Sequence, residues 1–129
     1  MFLGLRTVMY PAPNLEADKQ WWTSVLGIEP YFDEPFYVGF DVGGYELALD
    51  PHASPSEGPL TYWGVSDVDH ALEKLTAAGA AVRDAVQEVG GSIRAASVVE
   101  SSGSVIGLIE NPHIALPDAP PEAGDGPGR

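Results

Sequence analysis

Leu60-Thr-Tyr-Trp-Gly-Val-Ser-Asp-Val-Asp-His-Ala-Leu-Glu-Lys-Leu-Thr-Ala-Ala-Gly79 repeats the plan of Leu5-Arg-Thr-Val-Met-Tyr-Pro-Ala-Pro-Asn-Leu-Glu-Ala-Asp-Lys-Gln-Trp-Trp-Thr-Ser-Val-Leu-Gly27. Each stretch is an apolar strand, a polar turn, an amphipathic helix and a terminating glycine. Each is followed by β-type runs that end in a small-residue turn and an aliphatic strand, Gly43-Gly-Tyr-Glu-Leu-Ala-Leu49 in one case and Gly103-Ser-Val-Ile-Gly-Leu-Ile109 in the other. Self-similarity at this period means one structural unit used twice.

In the first unit a strand runs from about Leu3 to Tyr10 and stops at Pro11 and Pro13. Asn14 is the expected helix N-cap, with Glu16 and Asp18 in the first turns, where the helix dipole favours acids. Leu15, Trp22, Val25 and Leu26 make one apolar stripe, Trp21 flanks it, and Gly27 is the expected left-handed terminator. The Trp pair reads as packing. Tyr31-Phe32, Phe36 to Phe40 and Tyr45 to Leu49 read as strands, with turns at Asp33-Glu34-Pro35 and Gly43-Gly44.

His52 to Gly58 is a loop between the units. A strand from Pro59 to Val65 leads to Ser66 or Asp67 as cap of a helix striped by Val68, Ala71, Leu72 and Leu75 and closed by Gly79. Strands near Ala81–Val89, Ser92–Glu100 and Ser104–Glu110 complete the second unit. Pro117 to Arg129 holds no large apolar residue and reads as a disordered acidic tail. The expected organisation is one domain over residues 1–116, with units of about 1–52 and 58–116, and a tail over 117–129.

The totals narrow the function. The chain has 129 residues, no Cys and a formal net charge of −13. Units of about 55 residues are marginal alone, so the two must bury surface against each other. Without Cys there are no disulfides, thiolate metal sites or thiol nucleophiles. Six basic against nineteen acidic side chains disfavour nucleic acid and anionic membranes as partners. The start of the chain lacks the pattern of a signal peptide and no run suits a membrane span, which makes a cytoplasmic protein the expectation. No phosphate loop, Gly-x-Ser-x-Gly elbow or His-Glu-x-x-His motif is present.

Written as elements the chain is β-α-β-β-β twice: an α+β domain, two modules forming a curved mixed sheet around a cavity, helices outside. That repeat, with Trp21-Trp-Thr-Ser-Val-Leu-Gly27, Gly64-Val-Ser-Asp-Val68 and Gly103-Ser-Val-Ile-Gly-Leu-Ile-Glu-Asn111, resembles the vicinal oxygen chelate superfamily over about Met1 to Ile114. The group includes glyoxalase I, extradiol dioxygenases, methylmalonyl-CoA epimerase, fosfomycin-resistance transferases and bleomycin-resistance proteins. Its enzymes hold a divalent metal with His, Gln or Glu from the first and last strand of each module. Carried over through the repeat, those positions are Thr7, Ala48, Leu60 and Gly107. None is a usual ligand, so the resemblance implies a member without the family metal, and no cofactor is expected.

Side-chain alternation selects the remaining candidates. Thr7, Met9, Glu46, Ala48, Tyr62 and Gly107 should face the cavity, with Trp63 and Val65 toward the helices. Arg94 is a cation in an apolar strand, able to grip an anionic group or to pair with a neighbouring acid. Glu46 is the one candidate for a general base or an amine anchor; its plainer reading is an acid reaching water at the rim. His52, His70 and His113 read as ordinary loop or surface residues.

Three functions fit these residues. The first is a metal-independent, bleomycin-resistance-like protein that sequesters a small organic ligand or antibiotic, cationic in view of the acidic body. The second is a lyase, isomerase or dioxygenase with a non-standard site drawn from Glu46, His52, Glu100, Glu110 or His113. The third is a non-catalytic protein-interaction paralogue. The resemblance implies a homodimer.

Overall fold

The computed structural model describes residues 2–113. The tail expected over 117–129 lies outside the described residues. Ten regular elements follow the repeat: β1 (Phe2–Pro11), α1 (Leu15–Leu26), β2 (Phe32–Glu34), β3 (Tyr37–Val42) and β4 (Tyr45–Asp50), then β5 (Leu60–Val65), α2 (Val68–Ala77), β6 (Ala81–Gly90), β7 (Ile93–Val99) and β8 (Val105–Glu110). A short helical turn at Pro55–Glu57 lies in the connection between the modules.

The strands form one curved eight-stranded mixed sheet in the order β2-β3-β4-β1-β5-β8-β7-β6. The first strand of each module pairs in parallel with its last, β1 with β4 and β5 with β8, and the modules join where β1 pairs antiparallel with β5. The register preserves the repeat. Thr7 and Leu60, equivalent in the two modules, pair with Tyr62 and Met9, which are equivalent too. Met9 lies beside Ala48 as Tyr62 lies beside Gly107. Joining the modules along a seam of hydrogen-bonded strands leaves the free edges at β2 and β6, as far apart as the sheet allows.

Local chemistry sets the element ends. Asn14 caps α1 by accepting from the Ala17 N–H at 3.3 Å, and Gly27 ends the helix at φ 73°. Asp67 caps α2 by accepting from the His70 N–H at 3.0 Å. The turn expected at Asp33-Glu34-Pro35 is displaced. Asp33 and Glu34 pair with Val38 and Tyr37, and the chain reverses at Pro35-Phe36. Proline there supplies the fixed φ of a turn while both acids keep their ladder hydrogen bonds.

Both helices cover the same face. Leu15, Trp22 and Leu26 of α1 pack on Val38, Phe40 and Leu49; Val68, Ala71, Leu72 and Leu75 of α2 pack on Val65, Ala96 and Leu108. Trp21 is exposed and meets Trp22 edge to face at 5.0 Å, so only Trp22 is core. The concave face holds its own cluster of Met9, Tyr37, Ala48, Tyr62, Ile93 and Ile109. None of the helices is long and apolar enough to cross a membrane among the described residues.

Candidate functional site

The concave face carries two adjoining features: a buried polar cluster around Glu46 and an open cavity beside it. Glu46 lies opposite Thr7 in the parallel register and is 3% exposed, so the reading of an acid at a wet rim is corrected. Its carboxyl accepts hydrogen bonds from the Thr7 hydroxyl at 2.6 Å, the Tyr31 hydroxyl at 2.5 Å and the Tyr37 hydroxyl at 2.8 Å. The Asn111 amide donates to the Tyr31 hydroxyl at 2.8 Å and sits 3.4 Å from both Glu46 oxygens. Every neighbour is a donor, the surroundings an acceptor-only carboxylate requires when it leaves water. Burial, and then the charge of Glu46, push the Tyr31 and Tyr37 hydroxyls above their ordinary titration range.

Arg6 joins this cluster through a fault in the strand. β1 pairs Leu5 with Trp63 and then Thr7 with Tyr62, leaving Arg6 as the extra residue of a bulge. A bulge turns two successive side chains toward one face. Arg6 thus faces Glu46 with Thr7, against simple alternation. It is 6% exposed, and its Nε and Nη1 have no hydrogen-bond partner among the described residues. Burial lowers its pKa, opposed chiefly by the charge of Glu46.

The cavity has a volume of about 340 Å³. Met9, Leu60, Tyr62, Val89, Ala95 and Ile109 give it apolar walls, and the loop after β4 contributes its rim with His52, Ala53 and Ser54. Charge enters from Asp50, Glu57 and Asp84, with Arg83 as the cation of the lining. Arg83 forms an ion pair with Glu57 and lies 3.9 Å from Asp84, whose carboxylate also accepts from the Ser97 hydroxyl at 2.6 Å. Burial, then the charges of Asp84 and Asp50, push the Tyr62 hydroxyl up to about 12.

The sequence candidates divide between these features. Met9, Leu60 and Tyr62 line the cavity. Thr7 and Glu46 belong to the polar cluster, and Ala48 lies in the apolar layer with Met9 and Tyr37. Gly107 sits beneath the Tyr62 ring, where a methyl group would strike the ring carbons. Arg94 is the exception. It lies on the helix-bearing face, 2.9 Å from Asp69 and 3.3 Å from Glu110, which is the pairing with a neighbouring acid that the sequence also offered, and its place as a ligand-binding residue on the cavity wall is corrected. The cause is alternation along β7: Ile93 joins the concave cluster, which turns its neighbour outward.

The residues do not fit the family's divalent metal. The four positions offer a hydroxyl already donated to Glu46, a methyl, an isobutyl and a glycine covered by an aromatic ring. Among the described residues no three His, Asp or Glu side chains are grouped so as to hold an ion. The other candidates are dispersed. Glu100 is tied to Ser102, Glu110 to the Val68 N–H and Arg94, and His113 to the Gly91 carbonyl and the Phe32 ring. His70 is exposed on α2.

A sequence model of the Glyoxalase/Bleomycin resistance protein/Dioxygenase superfamily matches residues 4–106, and the chain belongs to that superfamily. No curated protein matches it in sequence. Solved structures share the fold at low identity. A Streptomyces coelicolor methylmalonyl-CoA epimerase bound to 2-nitronate-propionyl-CoA is similar at TM-score 0.69 and 14% identity, covering 91% of this chain and 100% of that one. The methylmalonyl-CoA epimerase of Mycobacterium tuberculosis is similar at TM-score 0.61 and 17% identity, covering 84% and 88%. A Legionella pneumophila structure described as an NAD-dependent benzaldehyde dehydrogenase is similar at 0.64 and 14%, covering 80% and 96%.

Alternation did not bring out Arg6, Tyr31, Tyr37, Asn111, Asp50, Glu57, Arg83 or Asp84. Some were within its reach. Glu46, Ala48 and Asp50 share one face of β4, and continuing Gly107 and Ile109 by one more step reaches Asn111. Arg6 was beyond it, because a bulge leaves no mark on composition.

Proposed function

We propose that this chain is a metal-independent member of its superfamily that binds a small organic molecule in the cavity and sequesters it rather than transforming it. The observation that carries this reading is the pairing of an open cavity of mixed apolar and charged lining with four metal positions that present no ligand set. Sequestration requires shape, apolar area and a few polar anchors, all of which the walls supply. The enzymatic alternative rests on Glu46 as base. That carboxyl is saturated by donors from its own chain and does not line the cavity, which favours the binder.

The test pairs two measurements. Metal analysis of protein purified without chelator is expected to find no stoichiometric divalent ion. Thermal shifts against a broad panel of antibiotics and metabolites are expected to find a compound that stabilises the folded state. One tightly held divalent ion per chain, or turnover of the stabilising compound, overturns the proposal.

A further inference from the structure

The connection between β4 and β5 does more than join the modules. His52, Ala53, Ser54, Glu57 and Gly58 all line the cavity, together with Met9 and Tyr62 of the sheet. The backbone hydrogen bonds of this connection close on itself and on its root at Asp50. Ala53 donates to the Asp50 carbonyl at 3.4 Å, Glu57 to that of Ser54 at 3.0 Å and Gly58 to that of Pro55 at 3.1 Å. The Asp50 carboxylate accepts from the His52 N–H at 2.8 Å, and the hydroxyls of Ser54 and Ser56 lie 2.8 Å apart. Residues 51–58 thus form a self-bonded strap. Gly58 ends its helical turn at φ 70°, with nothing within 4 Å of where a side chain would begin, which is the freedom a hinge needs.

Among the described residues, the side-chain hydrogen bonds and ion pairs of the strap reach another part of the chain at one point, from Glu57 to Arg83 of β6. That contact crosses the face of the sheet. β6 lies three strands beyond β5 in the order β5-β8-β7-β6. At about 4.8 Å between neighbours the two are about 14 Å apart along the sheet, so the strap meets β6 by standing over the concave side. Both partners line the cavity, and their pairing bridges two of its walls.

The closure is poised rather than locked. Arg83 Nη2 pairs with Glu57 and Nε lies 3.9 Å from Asp84, but Nη1 is shielded from solvent and has no hydrogen-bond partner among the described residues. A shielded donor without an acceptor opposes the state that shields it. Lifting the strap hydrates that amino group and the Glu57 carboxylate, which offsets the lost ion pair. With side chains 25% and 45% exposed, the pair itself is a weak one.

From these features we infer that the strap over residues 51–58 is a gate to the cavity, latched to the edge strand by Glu57 and Arg83 and turning on Gly58. This rests on the cavity being a binding site, as proposed above, and adds how a ligand enters and is retained. Gate and latch are testable without a ligand.

The chain has no Cys, so Ser56→Cys on the strap and Ala85→Cys on β6, both at exposed positions, accept a clean pair of spin labels. Pulsed dipolar spectroscopy is expected to give one narrow distance distribution, and a second, longer component once Arg83→Gln or Glu57→Gln is added. Access to the cavity is read at Met9, one of two methionines, by its rate of oxidation by peroxide with Met1 as reference. Each substitution is expected to speed Met9 oxidation about three- to fivefold, and the two together no further, because either alone releases the latch. Raised salt should speed it on the unaltered chain without lowering the urea midpoint, an arm that does not depend on any variant folding.

An unchanged Met9 rate in both variants overturns the gate, and so does a distance distribution that neither substitution widens. Oxidation that rises only in step with a lowered urea midpoint overturns it as well, because access is then global unfolding. The screen for a stabilising compound decides separately whether the cavity binds a ligand, so failure of the gate and failure of the binding site are told apart.

Discussion

At the scale of single residues, the buried carboxyl of Glu46 governs the concave face. Its partners come from four elements or connections: Thr7 on β1, Tyr31 before β2, Tyr37 on β3 and Asn111 after β8. Removing one acceptor without changing shape isolates its role. In Glu46→Gln, an amide that donates must face hydroxyls and an amide that also donate, leaving a buried donor unsatisfied. The expected loss is about 1–3 kcal/mol in urea unfolding, with the cavity and any ligand affinity retained. A loss of binding with unchanged stability would instead place Glu46 at the ligand. Gly39 explains why the cluster closes. A methyl at that position would collide with the Glu46 carboxyl and the Tyr31 ring, so Gly39→Ala is expected to cost about 1–3 kcal/mol by overpacking. Thermal melts of Gly39→Ala beside Gly43→Ala, a turn glycine with nothing within 4 Å, separate crowding at the cluster from loss of backbone freedom.

At the scale of elements, the strands and helices were legible wherever Pro, Gly and capping residues punctuate the chain. Asn14, Gly27 and Asp67 all do in the structure what their chemistry implies. Asp67→Ala is therefore expected to lower stability by about 1 kcal/mol, seen as a reduced urea midpoint at unchanged slope. The Val68 N–H keeps its hydrogen bond to Glu110, so α2 should remain formed. Two things were not legible. The bulge at Arg6 depends on how β1 meets β5, a long-range register that no local pattern encodes. The face of Arg94 followed from parity along β7, but the attraction of a cation to an anionic ligand competed with that reading. Its actual partners, Asp69 and Glu110, lie on α2 and β8. Parity decides the face, because a one-residue shift would turn Ile93 away from the concave cluster that it completes.

At the scale of the whole molecule, the repeat joins two marginal modules into one sheet whose concave side buries Tyr31, Tyr37 and Tyr62 in acidic company. That arrangement makes stability sensitive to alkali. An unfolded tyrosine ionises near 10.0, whereas Tyr62 holds its proton to about 12, and Tyr31 and Tyr37 are shifted in the same direction. A raised folded-state pKa contributes stability that is fully present below the unfolded value and is lost as pH rises through the folded one. Tyr62 alone accounts for about 2–3 kcal/mol, at about 1.4 kcal/mol per unit. Each ionisation also adds negative charge to a chain already at −13, so the losses reinforce one another. Unfolding free energy is expected to fall steeply as pH climbs from 10.0 toward 12, with tyrosinate absorbance appearing together with the loss of structure. Tyr62→Phe should flatten part of that decline, since the phenyl ring still packs over Gly107 but has no proton to lose. Tyrosinate absorbance rising fully while the sheet remains folded would show that these hydroxyls ionise in place, and would remove the basis for the alkaline transition.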